Sequence, residues 1–414
     1  MKTNLEIEVL KTREGKEAND ILRSCVHCGF CTATCPTYQI LGDELDSPRG
    51  RIYLIKELLE GKKPTEATQL HLDRCLTCRS CESTCPSGVQ YGRLVDIGRN
   101  IVEKTVPRTI GDRLKRNALN QIITRKTVFR SLITAGRLVK PVLPKVLQKK
   151  IPMAQKAVMS WPKSNHPRKM LFLDGCVQPI LAPNINIAAA RLLDRLQVSL
   201  IPTSKISCCG AVTYHLNKQT ESLDAIKQNI DAWWPHIEQG AEAIIITASG
   251  CGTMIKEYGH LLLDDPQYAE KAKVVSGLTK DLCEVFTHEV QLADEKIFNP
   301  IKRKVPLAQR VAFHAPCSLQ HGQQIKGVVE RILISAGYDL TTIEDAHLCC
   351  GSAGTYSLLQ ADLSEQLLKN KINNISADSP DLIVTANIGC LTQLQSGTST
   401  RVMHWAELLE EALD

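Results

Sequence analysis

A chain of 414 residues with 43% apolar but only 4% aromatic side chains can bury a large core of Leu, Ile, Val and Ala; its length calls for two or three domains and excludes large-scale disorder. The formal charge of +6 conceals an asymmetry, because Lys104 to Lys169 carries 17 Lys or Arg against one acid, Asp112, leaving about −10 for the remainder. The 17 cysteines, a charged N-terminal stretch (MKTNLEIEVLKTREGKEAND) where a secretion signal needs an apolar core, and apolar runs all shorter than a membrane span point to a cytosolic chain whose cysteines serve metal or redox chemistry rather than disulfides.

Four blocks are expected in chain order: residues 1–103, dense in cysteine; a basic helical linker, 104–168; and two duplicated α/β halves, 169–300 and 301–414. In the first block Cys25, Cys28, Cys31 and Cys35 recur fifty residues later as Cys75, Cys78, Cys81 and Cys85, each set ending in Cys-Pro at Pro36 and Pro86. Between them, RGRIYLIKELLEG places Ile52, Ile55, Leu58 and Leu59 at helical spacing before Gly61, so this block reads as mainly helical. Three thiolates spaced by three can wrap one face of an iron-sulfur cube, and in two-cluster ferredoxins the fourth Cys ligates the other cluster. That rule assigns Cys25, Cys28, Cys31 and Cys85 to one [4Fe-4S] cluster and Cys75, Cys78, Cys81 and Cys35 to a second. Four-cysteine zinc is the competing reading, but zinc sites need neither the third Cys at this spacing nor the terminal Cys-Pro. Arg49 and Arg51, in SPRGR, either offset the charge of a thiolate-ligated cluster or form a solvated helix start.

In the linker, Ile110, Leu114, Ala118 and Ile122 form an i, i+4 stripe, with Arg113, Lys115 and Arg116 on other faces, the pattern of an amphipathic basic helix. Three readings are open: a helix on anionic lipid, a dock for an acidic partner subunit, or a solvated face over the chain's own acidic domains. Nucleic acid is not expected, for want of interleaved aromatics or a binding motif.

The halves carry a second repeat: Cys176, Cys208, Cys209 and Cys251 recur as Cys317, Cys349, Cys350 and Cys390, each pair followed by Gly (Gly210, Gly351) and each last Cys preceded by Gly (Gly250, Gly389). Each copy opens with a strand-like run, KMLFLDGC or RVAFHAPC, then a helical stretch, AAARLLDRLQ or GVVERILISAG; later AIIITASG and DLIVTAN deliver a Gly-Cys. Parallel sheets are therefore expected, with the cysteines gathered at the carboxyl edge of the strands. The four cysteines of either repeat, those of the second first, are candidates for an additional cluster; otherwise they are packing residues left from a duplication. Cys283 has no counterpart and reads as a small buried hydrophobe. His314 either tunes a cluster by a hydrogen bond to sulfur or is a satisfied strand-end histidine.

No GxGxxG after a strand, P-loop, HExxH or GxSxG is present, so no catalytic site is expected in this chain alone. A one-electron wire without a hydride station needs a partner, naturally a flavoprotein that takes two electrons from substrate and releases them singly.

CVHCGFCTATCPTY, SPRGRIYLIKELLEG, CLTCRSCESTCPSGVQYGRL, HAPCSLQHGQQ and LCCGSAGTYSLLQ together resemble the iron-sulfur subunits of bacterial glycolate oxidases, over nearly the whole chain. Iron-sulfur subunits of anaerobic glycerol-3-phosphate dehydrogenase and of lactate utilisation systems share parts of this plan. The long repeats are similar to the cysteine-rich CCG domain of heterodisulfide reductases, whose last element is CxxC; here Ala248 and Asn387 stand in place of its first Cys, leaving four cysteines per repeat. The resemblance implies a hetero-oligomer with FAD-binding subunits that oxidise glycolate to glyoxylate, passing electrons through this chain toward a quinone, peripheral on the cytoplasmic face of the inner membrane. Two further readings are a disulfide reductase acting at the CCG cysteines and a scaffold whose clusters serve only stability.

Overall fold

The computed structural model describes residues 1–140, 158–203, 206, 208–293, 296–299 and 309–413. The middle of the basic linker, 141–157, and the expected boundary between the α/β halves at 300/301 lie outside the described residues. Residues 1–140 contain helices and loops and no strand. The run between the two cysteine motifs forms the helix Pro48–Leu59, with Pro48 in its first turn and the Ser47 side chain accepting from Gly50 N as N-cap. Ile52, Ile55, Leu58 and Leu59 are all buried on it, and Gly61 takes φ +93° just past its end. The helix crosses Tyr91–Thr105, whose Gly98 lets Ile55 pack against its backbone.

Each half is a four-stranded parallel sheet of the same topology. The first comprises β1 (Arg168–Phe172), β2 (Val198–Ile201), β3 (Ile244–Ile246) and β4 (Thr279–Asp281) in the order β2-β1-β3-β4. The second comprises β5 (Arg310–His314), β6 (Asp339–Leu340), β7 (Leu382–Thr385) and β8 (Val402–His404) in the order β6-β5-β7-β8. The order reverses between β1 and β3, and between β5 and β7, and open α/β sheets place their ligand sites at the carboxyl ends of strands at such a switch point. Cys176 and Cys251 follow β1 and β3, Cys317 and Cys390 follow β5 and β7, and the Cys-Cys pairs follow β2 and β6. The sequence expectation of parallel α/β halves is met.

The halves share one core: the helix Asn184–Asp194 of the first packs on the C-terminal helix Trp405–Leu413 of the second, and Leu192, Leu193, Phe286, Trp405 and Leu409 are sealed within it. Cys283 is fully buried in this core beside Leu282 and Phe286, as expected of an apolar filler. The carboxyl edges of the two sheets abut, with Ser249 Oγ 2.8 Å from Ser318 Oγ and Gly250 N donating to Asn387 Oδ1 at 3.4 Å.

Candidate metal centres

The two CxxCxxC loops share an unusual backbone. Left-handed residues occur at the same two places in each, His27 (φ +57°) and Gly29 (+84°), then Thr77 (+53°) and Arg79 (+60°). Three of the four are not glycine, and a left-handed non-glycine residue needs a surrounding structure that compels it. Alternating hands curl each loop so that its cysteines face a common interior. One cavity is lined by Cys25, Cys28 and Cys31 together with Cys85 and Cys81, the latter two from the distant motif. Burial and the neighbouring Cys25 and Cys28 push the Cys31 thiol up to about 11. Burial also raises Cys78 and Cys81, with further contributions from Cys75 and Cys35 and, for Cys78, from Cys317. Eight thiols thus stand in two neighbouring groups. Cys31, Cys78 and Cys81, pushed up by burial and by neighbouring thiols, suit a metal that displaces the protons, not a free thiolate nucleophile.

The sulfurs have donors around them. Thr77 N lies 3.4 Å from Cys75 Sγ, Val89 N 3.5 Å from Cys85 Sγ and Tyr91 Oη 3.6 Å from Cys75 Sγ. Such N–H and O–H bonds to sulfur tune cluster potentials. Arg51 is 1% exposed, so it is no solvated helix start. Its Nε donates to His71 O (2.7 Å), its Nη1 to Thr37 Oγ1 (3.1 Å) and its Nη2 to Asp46 Oδ1 (3.2 Å). Burial works against its charge, but Tyr91, Cys75, Cys35 and Asp46 more than offset this, so its pKa lies above the usual guanidinium value. Arg49 lines the Cys25 cavity and is held by Glu44 at 2.7 Å.

Sequence reasoning missed Arg99. It is buried, and its guanidinium clamps the second motif by donating to Leu72 O (2.8 Å), Cys75 O (2.6 Å) and Thr77 Oγ1 (2.8 Å). The available signal was a cation on an apolar face, since Val95, Arg99 and Val102 are spaced to share one side of the helix.

The thiols of the α/β halves also gather. In the first repeat Cys208 accepts from Cys176 and Cys209, which lowers its pKa and raises theirs. In the second, Cys317 and Cys349 sulfurs are 3.9 Å apart, and Gly351 N approaches Cys349 Sγ at 3.4 Å. His314 is wholly buried and held neutral, its pKa driven down to about 3 by burial and by Lys371. It is not the satisfied strand-end histidine that was one of two expectations, nor a donor to sulfur: neither ring nitrogen has a hydrogen-bond partner.

The helical domain leans on both halves by different means. Against the first half the contact is ionic: Arg79 and Arg93 to Glu257 at 2.9 and 3.2 Å, and Arg13 to Asp264 at 2.5 Å. Against the second it is packed and hydrogen-bonded: Leu76 and Cys78 join Cys317, Cys349 and Tyr356 in one apolar cluster. Tyr356 Oη donates to Arg74 O at 3.1 Å, and His321 Nδ1 lies 2.9 Å from Ser83 Oγ. The two cysteine systems therefore touch at Cys78 and Cys317.

The basic linker begins as the helix Ile110–Thr124, whose protein-facing side is polar: Arg116 bonds Asp73 (2.9 Å) and Asn120 bonds Thr213 (2.8 Å) and Glu221 (2.9 Å). The apolar stripe faces outward, with Ile110 68% and Leu114 62% exposed. The next helix, Lys126–Val139, buries no residue and leaves Leu132 and Leu138 exposed. No helix among the described residues is long and apolar enough to cross a membrane.

This architecture defines a class: an iron-sulfur protein with a dicluster domain followed by two cysteine-rich domains. Residues 21–89 match the 4Fe-4S dicluster domain, and residues 170–256 and 311–395 each match the cysteine-rich domain. The chain is 52% identical to the glycolate oxidase iron-sulfur subunit of Escherichia coli (strain K12), over the full length of both. It is 31% identical to the probable glycolate oxidase iron-sulfur subunit of Bacillus subtilis (strain 168), covering 100% of this chain and 99% of that one. Lactate utilization protein A of Geobacillus thermodenitrificans (strain NG80-2) is 28% identical, but over 56% of this chain and 95% of its own. The chain belongs to the glycolate oxidase iron-sulfur subunit family, an oxidoreductase component that carries iron-sulfur clusters.

Proposed function

We propose that this chain is the electron relay of a glycolate oxidase complex, receiving electrons one at a time from FAD-binding partner subunits that oxidise glycolate to glyoxylate and passing them toward a quinone. The observation that carries the reading is the cavity where Cys25, Cys28 and Cys31 meet Cys85, in a chain alike to a glycolate oxidase iron-sulfur subunit from end to end. In this reading Cys25, Cys28, Cys31 and Cys85 hold one [4Fe-4S] cluster and Cys75, Cys78, Cys81 and Cys35 the other. Such a cluster, when bound, takes up and gives back single electrons at a potential set by its surroundings. The protein sets those surroundings: Arg51 and Arg99 bring positive charge to the Cys75 side, and Thr77 N and Tyr91 Oη donate to its sulfur. The working units are residues 1–103, 104–168, 169–300 and 301–414, with the first boundary moved past the helix Tyr91–Thr105 and the second to before β1 at Arg168, since neither element can be divided between units. Choice of hydroxyacid lies with the partners; kinship to lactate utilization proteins extends over only 56% of the chain, which favours glycolate over lactate. Adding glycolate anaerobically to the assembled complex is expected to produce the paramagnetic signal of reduced clusters within this chain, and the isolated chain should give none. A signal produced by the chain alone would mean that it acts as an enzyme in its own right.

The outward apolar stripe is proposed to seat the complex on the membrane surface. Ile110, Leu114, Leu132 and Leu138 are exposed on helices that also carry the exposed Arg113 and Arg130, with the exposed Arg125 at the junction between them, the pairing of apolar and basic groups that anionic lipid attracts. At about 1 kcal/mol per basic residue near such a surface, replacing those three arginines by Gln should weaken sedimentation with phosphatidylglycerol vesicles on the order of 100-fold. Unchanged binding would count against a lipid role.

A further inference from the structure

A cavity lies where the helical domain meets the first α/β half, enclosing about 830 Å³ including its open mouth. One wall is Arg79, which stands between Cys78 and Cys81 in the second cysteine motif. Another is the helix Ser249–Lys256, which carries Cys251 and turns Thr253 and Met254 to the cavity. A third is the short helix Ala211–His215, and it has two faces. Thr213 Oγ1 donates to Asn120 Oδ1 of the linker helix at 2.8 Å, while Tyr214 and His215 line the cavity. The cavity therefore touches a cluster loop directly and, through one helix of five residues, the linker helix whose apolar stripe faces outward.

The charges of the lining argue against an ionic ligand. Arg13, Arg79 and Arg93 stand there against Glu14, Glu17, Asp96 and Glu257, three cations against four acids. No guanidinium is free for an anion: Arg79 and Arg93 are held by Glu257 at 2.9 and 3.2 Å, Arg93 also by Glu17 at 3.3 Å, and Arg13 by Asp264 at 2.5 Å. An entering carboxylate or phosphate would have to break one of these pairs and leave its acid without a partner. Among the described residues, no three of the acids and histidines here converge as the ligands of a metal ion do. What remains is a neutral guest. Ile97, Leu223, Met254 and Leu261 offer apolar surface to a ring. Tyr214 Oη has no hydrogen-bond partner among the described residues, and the His215 and His260 rings share the lining with it. These groups can donate to carbonyl oxygens, and apolar walls with a few polar groups are the usual make-up of a small-molecule site.

We infer that this cavity binds the headgroup of a quinone, a neutral ring with two carbonyl acceptors, with Tyr214 as a hydrogen-bond donor and Leu223 and Met254 against the ring. The inference rests on the relay reading, which supplies the electrons, and gives that reading its outlet. Reduction consumes two electrons, delivered singly by the relay, and two protons; both C=O groups become C–OH as the ring becomes aromatic. The protons come from water by way of the His215–Asp96 and His260–Glu17 pairs, at 3.8 and 3.3 Å, whose histidine side chains are 40% and 23% exposed. A lipid-soluble substrate suits a cavity braced against the helix proposed to meet the membrane.

The test uses the assembled complex with its clusters loaded, a photoreactive azidoquinone as the label and decylubiquinone as the competitor. Labelling is expected within residues 211–223 or 249–261 of this chain, and excess decylubiquinone should prevent it. Leu223→Trp fills the cavity and should abolish both labelling and decylubiquinone binding. Tyr214→Phe keeps the ring and removes the hydroxyl, so it should weaken binding about 5-fold, the loss of one hydrogen bond. Ile334→Trp, at an exposed site of the second half, should change neither. Two spins from the dithionite-reduced clusters in each variant show that the helical domain is intact. Labelling confined to a partner subunit or to other segments of this chain, binding unchanged in Leu223→Trp, or protection of the cavity by glycolate in place of the quinone would each overturn the inference. Reduction of the clusters by glycolate is read before any quinone is added, so a failure of the relay reading shows there and a failure of the quinone site shows in the labelling.

Discussion

Replacing Cys85 by Ala is expected to remove the cluster of the first motif, sixty residues away in sequence, and to leave the one at Cys75, Cys78 and Cys81 in place. Cys85 lines the cavity of Cys25, Cys28 and Cys31, and its sulfur is held there by Val89 N at 3.5 Å. The crossed arrangement makes a specific pattern among four variants: Cys85→Ala and Cys28→Ala should leave the same residual paramagnetic spectrum, and Cys35→Ala and Cys78→Ala should leave the other. Uncrossed ligation would instead pair Cys85 with Cys78. Each variant should fall from two reduced spins to one. Glycolate-dependent electron flow through the assembled complex should drop by more than about 100-fold, because even changes to groups behind the ligands commonly cost about 10- to 100-fold. A scaffold whose clusters serve only stability predicts the opposite, flow preserved wherever the complex still assembles. Folding should also weaken, since in the crossed reading each cluster would tie the two motifs together and its binding energy would be part of the folding energy.

Arg51→Met is expected to destabilise the protein by about 3–5 kcal/mol, the usual consequence of removing one member of a buried ion pair. Asp46, Arg51's partner, is completely buried and also accepts from Arg74 Nη1 at 2.8 Å. Without Arg51 the carboxylate keeps only that half-exposed cation and His71, whose Nδ1 stands 3.1 Å away. The His71 and Thr37 oxygens lose their donor at the same time. Met fills similar space without charge, so denaturant unfolding of the reconstituted chain isolates the electrostatic and hydrogen-bonding loss from a cavity. Arg51→Lys should recover only part of it, because an ammonium cannot span three acceptors in the fixed fork of a guanidinium. The potential of the Cys75 cluster should move downward in the Met variant and much less in the Lys variant. A loss under about 1 kcal/mol in Arg51→Met would show that the pair adds nothing beyond its surface equivalents.

Much of this protein is written locally. Eight cysteines spaced as two copies of one motif announce iron-sulfur chemistry because the ligand geometry of each loop is made within a dozen residues. The doubled Cys-Cys-Gly pattern likewise exposes two α/β halves, because short apolar runs such as KMLFL and DLIVT suit buried parallel strands. The strands Thr279–Asp281 and Asp339–Leu340 escape such a reading: they are three and two residues long, partly polar, and strands only because a neighbour pairs with them.

What the sequence could not decide is which distant groups meet. That the helix Ile110–Thr124 turns Arg116 and Asn120 inward and its apolar stripe outward is set by Asp73 and Thr213, far away in the chain. Arg99 reaches the second motif from a different helix, and Cys78 meets Cys317 only when the helical domain docks on the second half. His314 read from its neighbours either as a donor tuning a cluster or as a satisfied strand-end histidine; its lack of a partner appears only once Cys350 and Cys390 are folded around it. Spacing along the chain determined what chemistry this protein carries, because a cluster motif is a local object. Tertiary structure alone decided how its cysteine systems connect, because burial, ion pairing and ligand contact arise between segments that sequence order keeps apart.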